Sequence, residues 1–286
     1  MVTRTATSHL TPRERAKRAA RGGASRSVPA PLLVPALIAV AFLVLPLAGL
    51  LIRAPWSGMA KALSGSDATQ ALVLSVWTAS VSTAISVVIG VPLAWVLARS
   101  SFPGQRLLRA LVTLPLVLPP VVGGVALLLA FSRVGFVGRY LDSWFGLTIP
   151  FTPLAVVMAE TFVAMPFLII TVEGALRSAD QGFEEAAATL GASRMTVFRR
   201  VTVPLIAPSL GAGAVLCWAR ALGEFGATIT FAGSFPGQTE TMPIAVYYAL
   251  ETDPNAAIAL SLVLLLVSVV VLVSLRDRWL RRGPVL

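Results

Sequence analysis

The chain has 286 residues, 56% of them apolar and only 13% charged, far from the quarter charged of an ordinary soluble domain. Its 23 Lys+Arg outnumber 13 Asp+Glu, giving a net charge of +10 and a pI near 11.3. That balance invites a nucleic-acid surface, but the basic residues fall between long uncharged stretches, so a membrane protein is indicated and an ordinary soluble domain is excluded. One cysteine, Cys217, and one histidine, His9, leave no disulfide framework, no multi-ligand metal site and almost no imidazole-assisted nucleophile chemistry.

Residues 1–30 are rich in Arg and Ser, with Glu14 the one acid. The stretch reads as a disordered cytoplasmic tail, the alternative being an organellar transit peptide. Six segments then follow that are long and apolar enough to cross a hydrocarbon core, which takes about 20 helical residues. They are 32–52, 71–98, 108–131, 152–176, 205–232 and 256–275, within a membrane domain of 31–280, and 281–286 form a short cytoplasmic tail. The first span is 21 residues long, too long for the apolar core of a secretory signal, which runs to about 15. The third contains Pro115, Pro119 and Pro120 and the fifth Gly211, Gly213, Gly223 and Gly226, so kinks or close helix contacts are expected in both.

Six spans put both termini on one side. Counted over alternate loops, that side holds 18 Lys+Arg and the other 4, so the positive-inside rule predicts cytoplasmic termini. The remaining basic residue, Arg220, is counted in neither set and lies inside the fifth span.

The longest inside loop, 177–204, has a pattern of helix, stop, helix. Asp180 can cap a first short helix, Glu184 and Glu185 suit its first turns, Ala186, Ala187 and Ala188 propagate it, and Gly191 can end it in a left-handed conformation. Ser193 can cap a second helix that Pro204 would stop near the membrane. A plain solvated connector is the competing reading. There is no G-x-x-x-x-G-K-[ST] phosphate loop and no G-x-S-x-G elbow, so neither ATP binding by such a loop nor a serine hydrolase is supported.

The run Glu185-Ala186-Ala187, three residues, Gly191, nine residues, then Val201-Thr202-Val203-Pro204 resembles the E-A-A-x3-G-x9-I-x-L-P loop of bacterial ABC importer permeases, with Val for Ile and for Leu. The resemblance implies an all-α, six-helix type I permease fold with both termini inside. It also implies a location in the bacterial cytoplasmic (inner) membrane and no catalytic residue in this chain. The loop would be the coupling helix, with Glu184, Glu185, Ala186, Ala187, Gly191 and Pro204 meeting a separate cytoplasmic ATPase dimer that holds ATP and magnesium. A second permease copy, most simply a homodimer, and an extracytoplasmic oxyanion-binding protein would complete the importer, with no nucleic acid involved. The segments Arg220 to Thr228, Phe231-Ala232-Gly233 and Pro236 to Pro243, with Leu114 to Gly124, are similar to the molybdate/sulfate/thiosulfate permease group, most of all to its molybdate members. Over residues 70–275 this implies oxyanion import, with sulfate/thiosulfate or tungstate as alternatives, and an ATP-independent secondary transporter as a remote one.

Arg220 and Glu224 stand four apart, on one face of a helix, and can pair. They are open to three readings: a structural ion pair, a gate lined by Glu224 with Phe225 and Thr228, or attraction of the oxyanion by Arg220. Pro119 and Pro120 form a kink or line the gate. Ala219, Gly223 and Ala227 recur every four residues, as a packing seam would. Glu160 has no basic neighbour in sequence; it is neutral, pairs across helices or lines the pathway. In the outer loop 233–255, which lacks Lys and Arg, Pro243 to Glu251 are expected to form a short helix, and Glu240, Glu251 and Asp253 would face a positively charged patch on the binding protein.

Overall fold

The computed structural model describes residues 30–59 and 65–280. The expected tails therefore lie outside the described residues, apart from Ala30. The chain separates into two compact units, divided after Ile52. The first contains α1, Ala30–Ile52, which has no charged residue and keeps Pro35 and Pro46 within the helix. Its side chains are largely exposed, as suits a helix surrounded by lipid.

Among its described residues the second unit has helices and no strand. It begins with α2 (Ser66–Arg99), a 34-residue helix about 50 Å long. The end of α2 is closed by side chains from the next helix. Gln105 Nε2 donates to the carbonyls of Leu97 and Ser100 at 2.9 and 2.7 Å, and Arg109 Nη2 donates to Leu97 O at 2.7 Å. Arg109 Nε also reaches Glu173 at 2.8 Å, so one of the basic residues counted for orientation is a structural fastener too.

The third predicted span is not a kinked helix. It is two helices, α3 (Gln105–Val117) and α4 (Pro120–Phe131), meeting at an angle of 116°. Leu118 precedes Pro119 and takes extended backbone, φ −64° and ψ 134°, because the proline ring excludes the helical conformation before it. Two successive prolines thus remove two backbone donors and take two residues, Leu118 and Pro119, out of the helix at a single point. Five helices among the described residues are long and apolar enough to cross a membrane alone, or six if the bent pair counts as one. After α5 (Gly138–Phe145), a short helix that sequence reading did not anticipate, comes α6 (Pro153–Ser178).

Helix α6 is the centre of the unit, packed on α2 and on α9 (Val203–Leu222). Leu168, Ile169, Val172 and Leu176 are fully buried against Leu97, Ile206, Cys217 and Leu222. Lipid tails are as apolar as these side chains, so close packing rather than water exclusion must hold the helices together. Gly90 and Gly213 make it possible, since a Cβ on either would lie 3.2 Å from an α6 side chain.

The loop after α6 holds α7 (Gly182–Thr189) and α8 (Arg194–Val197), and α8 runs through a π-helical turn, Phe198–Thr202, straight into α9. Pro204 therefore does not stop a helix, contrary to expectation. It sits in the first turn of α9, and the widened turn before it carries the chain through with Val203 N–H bonded to Phe198 O. The fifth predicted span also divides, because α9 ends at Leu222 and α10 (Gly226–Phe231) follows a break. Then come α11 (Met242–Thr252), with Pro243 in its first turn as predicted, and α12 (Pro254–Leu280).

Candidate functional site

The loop 177–204 folds as two helices and a stop, and its side chains divide into an inward and an outward set. Asp180 Oδ1 accepts from Gly182 N–H at 2.8 Å, but the capping position is Gln181, one residue later than expected. Glu184 turns inward. Its Oε1 accepts from Arg99 Nη2 at 2.9 Å, at the end of α2, and from Thr202 Oγ1 at 3.1 Å, in the π turn. Glu185 and Ala186 are exposed and Ala187 is half-buried. Phe183, Leu190 and Met195 are also exposed, at 59%, 89% and 63%, apolar side chains on the surface of the loop.

Gly191 ends α7 with φ +85°. Its N–H bonds to Ala188 O at 2.9 Å and Ala192 N–H to Ala187 O at 3.1 Å, the two bonds of a Schellman cap. Nothing lies within 4 Å of where its Cβ would be, so the backbone angle alone demands glycine. Gly191→Ala is expected to cost about 1 kcal/mol, and Gly191→Pro far more, since proline cannot reach that φ and lacks the bonded N–H. Uptake and thermal melting of the two variants, measured side by side, check this order. Ser193 Oγ accepts from Thr196 N–H at 3.2 Å and caps α8 as predicted.

The second set of residues gathers at the far end of α9. Arg220 Nη1 meets Glu224 Oε2 at 2.7 Å, yet not along one helix face, because the helix ends at Leu222 and Glu224 lies in the break. The other carboxylate oxygen of Glu224 accepts from Ala227 N–H at 2.8 Å, so one buried side chain ties the end of α9 to the start of α10. Phe225 is half-buried with its ring 5.2 Å from that of Tyr247, and Thr228 is wholly buried. Pro119 and Pro120 are exposed at the α3/α4 break.

The structure joins the two breaks. A Cβ on Gly226 would lie 2.8 Å from Pro120 Cβ, and one on Gly124 would lie 2.7 Å from Ala227 O and 2.8 Å from Thr230 Cβ. The close-contact glycines are therefore Gly124 and Gly226. The predicted seam of Ala219, Gly223 and Ala227 fails because the chain leaves the helix at Gly223, which is exposed.

Glu160 finds its partner across helices in a hydroxyl rather than a base. Thr78 Oγ1 donates to its Oε1 at 2.8 Å, and its Oε2 has no partner. Ser75, Thr78, Ser82 and Ser86 form a buried polar stripe on α2, with Ser82 bonded to Thr161 at 3.1 Å and Ser75 Oγ accepting from Met242 N–H at 2.7 Å. Their spacing of three, four and four residues is a helical signal that the sequence carried and that reading for charge passed over. Among the described residues, no group of three or more His, Cys, Asp or Glu side chains stands close enough to hold a metal ion.

The family described as "Binding-protein-dependent transport system inner membrane component" matches residues 86–283, which takes in both breaks, the loop and Arg220–Glu224. The chain belongs to this permease family. It is thus an inner-membrane, multi-pass transport component rather than an enzyme. The permease is similar to the molybdenum transport system permease protein ModB of Mycobacterium tuberculosis H37Rv, 49% identical over 245 residues, covering 86% of this chain and 92% of that one. ModB of Escherichia coli K12 is 41% identical, covering 74% and 93%. The sulfate transport system permease protein CysT of Salmonella typhimurium is 36% identical, covering 84% and 88%. Among solved structures, a chain of a bacterial ABC transporter that imports alginate matches with TM-score 0.72 at 17% identity, over 95% of this permease and all of that chain. The MetNI methionine ABC transporter in an inward-facing conformation matches with TM-score 0.57 at 19% identity, over 77% and all of the two chains. At these identities the likeness is one of fold.

Proposed function

We propose that this permease is the membrane subunit of an ATP-driven importer that carries molybdate inward, with both termini and the loop 177–204 cytoplasmic. The observation that carries the substrate is the gradient of likeness, 49% and 41% to two molybdenum permeases against 36% to a sulfate permease. Charge asymmetry supports the orientation, 18 basic residues in one set of loops against 4 in the other. The permease works as two identical copies, docks a loaded oxyanion-binding protein outside, and couples inside to an ATPase dimer that holds the ATP and magnesium.

In this reading, exposed Phe183, Glu185 and Leu190 are the face that meets the ATPase. Glu184 passes its movement on, through Arg99 to α2 and through Thr202 to α9. The far end of α9 carries Arg220, paired with Glu224 in the break beyond it, and the packed breaks at Pro119-Pro120 and Gly223–Phe225, with Thr228 in α10, form the gate. Arg220 is already paired, so it offers a passing dianion only a weak contact, as conduction requires. On the outer side Glu240 is engaged with Ser234 and Asp253 caps α12, which leaves Glu251 exposed for the binding protein.

The test is ATP hydrolysis by the reconstituted complex, with the binding protein loaded in turn with molybdate, tungstate and sulfate. Molybdate-loaded protein is expected to stimulate hydrolysis several-fold over the empty form. Stimulation by sulfate-loaded protein alone would overturn the substrate, and none by any of the three would overturn the coupling.

A further inference from the structure

A cavity of about 480 Å³ opens between the end of α2 and the loop, lined by Trp95, Arg99, Ser100, Glu184, Arg194 and Phe198 among others. The Arg99 side chain is only 8% exposed, and Glu184 takes just one of its three nitrogens. Its Nε and Nη1 have no hydrogen-bond partner. A guanidinium held this way lacks acceptors that water would otherwise provide, and Arg194 adds a second cation at the same cavity.

A second, apolar groove of about 270 Å³ adjoins it, lined by Pro92, Trp95, Val96, Arg194, Met195 and Phe198. Trp95, Arg194 and Phe198 belong to both. Pro92, Trp95, Val96 and Arg99 share one face of α2 by their spacing, so apolar surface gives way to a buried cation over about 10 Å along the helix. Loop residues Arg194, Met195 and Phe198 form the facing wall.

The geometry points to a binding site for an anionic phospholipid, its phosphodiester at Arg99 and Arg194 and the start of an acyl chain along Pro92, Val96 and Met195. A free phosphate would satisfy the cations but not the groove that continues from them. A neutral lipid would fill the groove but leave the buried guanidinium without an acceptor. Basic pockets at the cytoplasmic ends of membrane helices suit anionic headgroups on general electrostatic grounds. The site shares Glu184 with the coupling contact, so lipid occupancy would set how firmly the loop is held against α2. This inference rests on the reading that the loop 177–204 is cytoplasmic and faces the ATPase.

The test uses the complete transporter, permease with ATPase, in native mass spectrometry during titration with phosphatidylglycerol or phosphatidylcholine. The permease is expected to retain phosphatidylglycerol at least about five-fold more strongly than phosphatidylcholine. Arg194→Gln should remove most of that preference, and Met195→Asp should weaken both lipids; both residues are exposed, so unchanged thermal melting serves as the folding control. Equal retention of the two lipids, displacement by inorganic phosphate, or an undiminished preference in Arg194→Gln would overturn the site. Co-purification of the ATPase reports separately on the coupling reading, so a parent permease that shows no lipid preference with the ATPase still bound counts against the lipid site alone.

Discussion

Glu184→Lys is expected to lower uptake at least ten-fold and to lower the melting temperature of the permease, whereas the neighbouring Glu185→Lys should lower uptake without moving the melting temperature. The difference follows from where the two carboxylates point. Glu184 is the acceptor for Arg99 and Thr202, and its replacement sets a second cation against an arginine whose side chain is 8% exposed. Removing one partner of a buried pair costs about 3 kcal/mol or more, most of it the penalty of the charge left behind. Glu185 is exposed, so its reversal disturbs only what docks on it. Thermal melting of each purified variant, with uptake in vesicles, checks the pair. Equal melting temperatures for both variants would remove the structural role of Glu184. Normal uptake in Glu185→Lys would remove the docking role of Glu185.

Gly124→Ala should destabilise the permease and lower uptake. Its Cβ would lie 2.7 Å from a backbone carbonyl, that of Ala227, and a backbone cannot rotate away as a side chain can. Helices α4 and α10 would have to separate, at a cost of about 1–3 kcal/mol, and with them the two breaks proposed as the gate. Gly226→Ala meets Pro120 Cβ at 2.8 Å and should act in the same direction. Gly174→Ala is the control, a helix position with nothing within 4 Å, where alanine should stabilise by up to about 1 kcal/mol. Melting and uptake of the three variants check the order. If Gly124→Ala transports and melts like the parent, the breaks are not held by close packing.

The fold of the loop 177–204 was legible in the sequence because its signals are local: a cap, two acids, three alanines and a glycine at fixed spacing. The Schellman cap at Gly191 and the Ser193 cap follow from such signals. The division of labour between Glu184 and Glu185 was not legible, since the two are chemically identical neighbours and the residue that separates them, Arg99, lies 85 positions away from Glu184. Arg99 itself had been accounted for as a charge that orients the chain. Likewise, Pro119 and Pro120 announced a distortion, but whether a proline pair bends a helix or folds it back by 116° is decided by what the second half packs against. That partner is Gly226, in a span read as continuous. Glu160 took its partner from a helix 82 residues earlier, and the hydroxyl stripe that receives it is hidden among apolar residues. Pro204 was misread because the π turn that admits it has no sequence signature of its own.

The single helix α9 has Thr202 and Glu184 at one end and Arg220 and Glu224 at the other, about 27 Å apart along its axis. Treated as a lever, it magnifies small rotations. A tilt of about 5° about the Thr202 end sweeps Arg220 through roughly 2.4 Å over that length. The Arg220–Glu224 contact is 2.7 Å and the Glu224–Ala227 bond 2.8 Å, and neither survives a stretch of that size while α10 stays wedged against α4. A tilt of only a few degrees in α9 is thus sufficient to unlatch its far end.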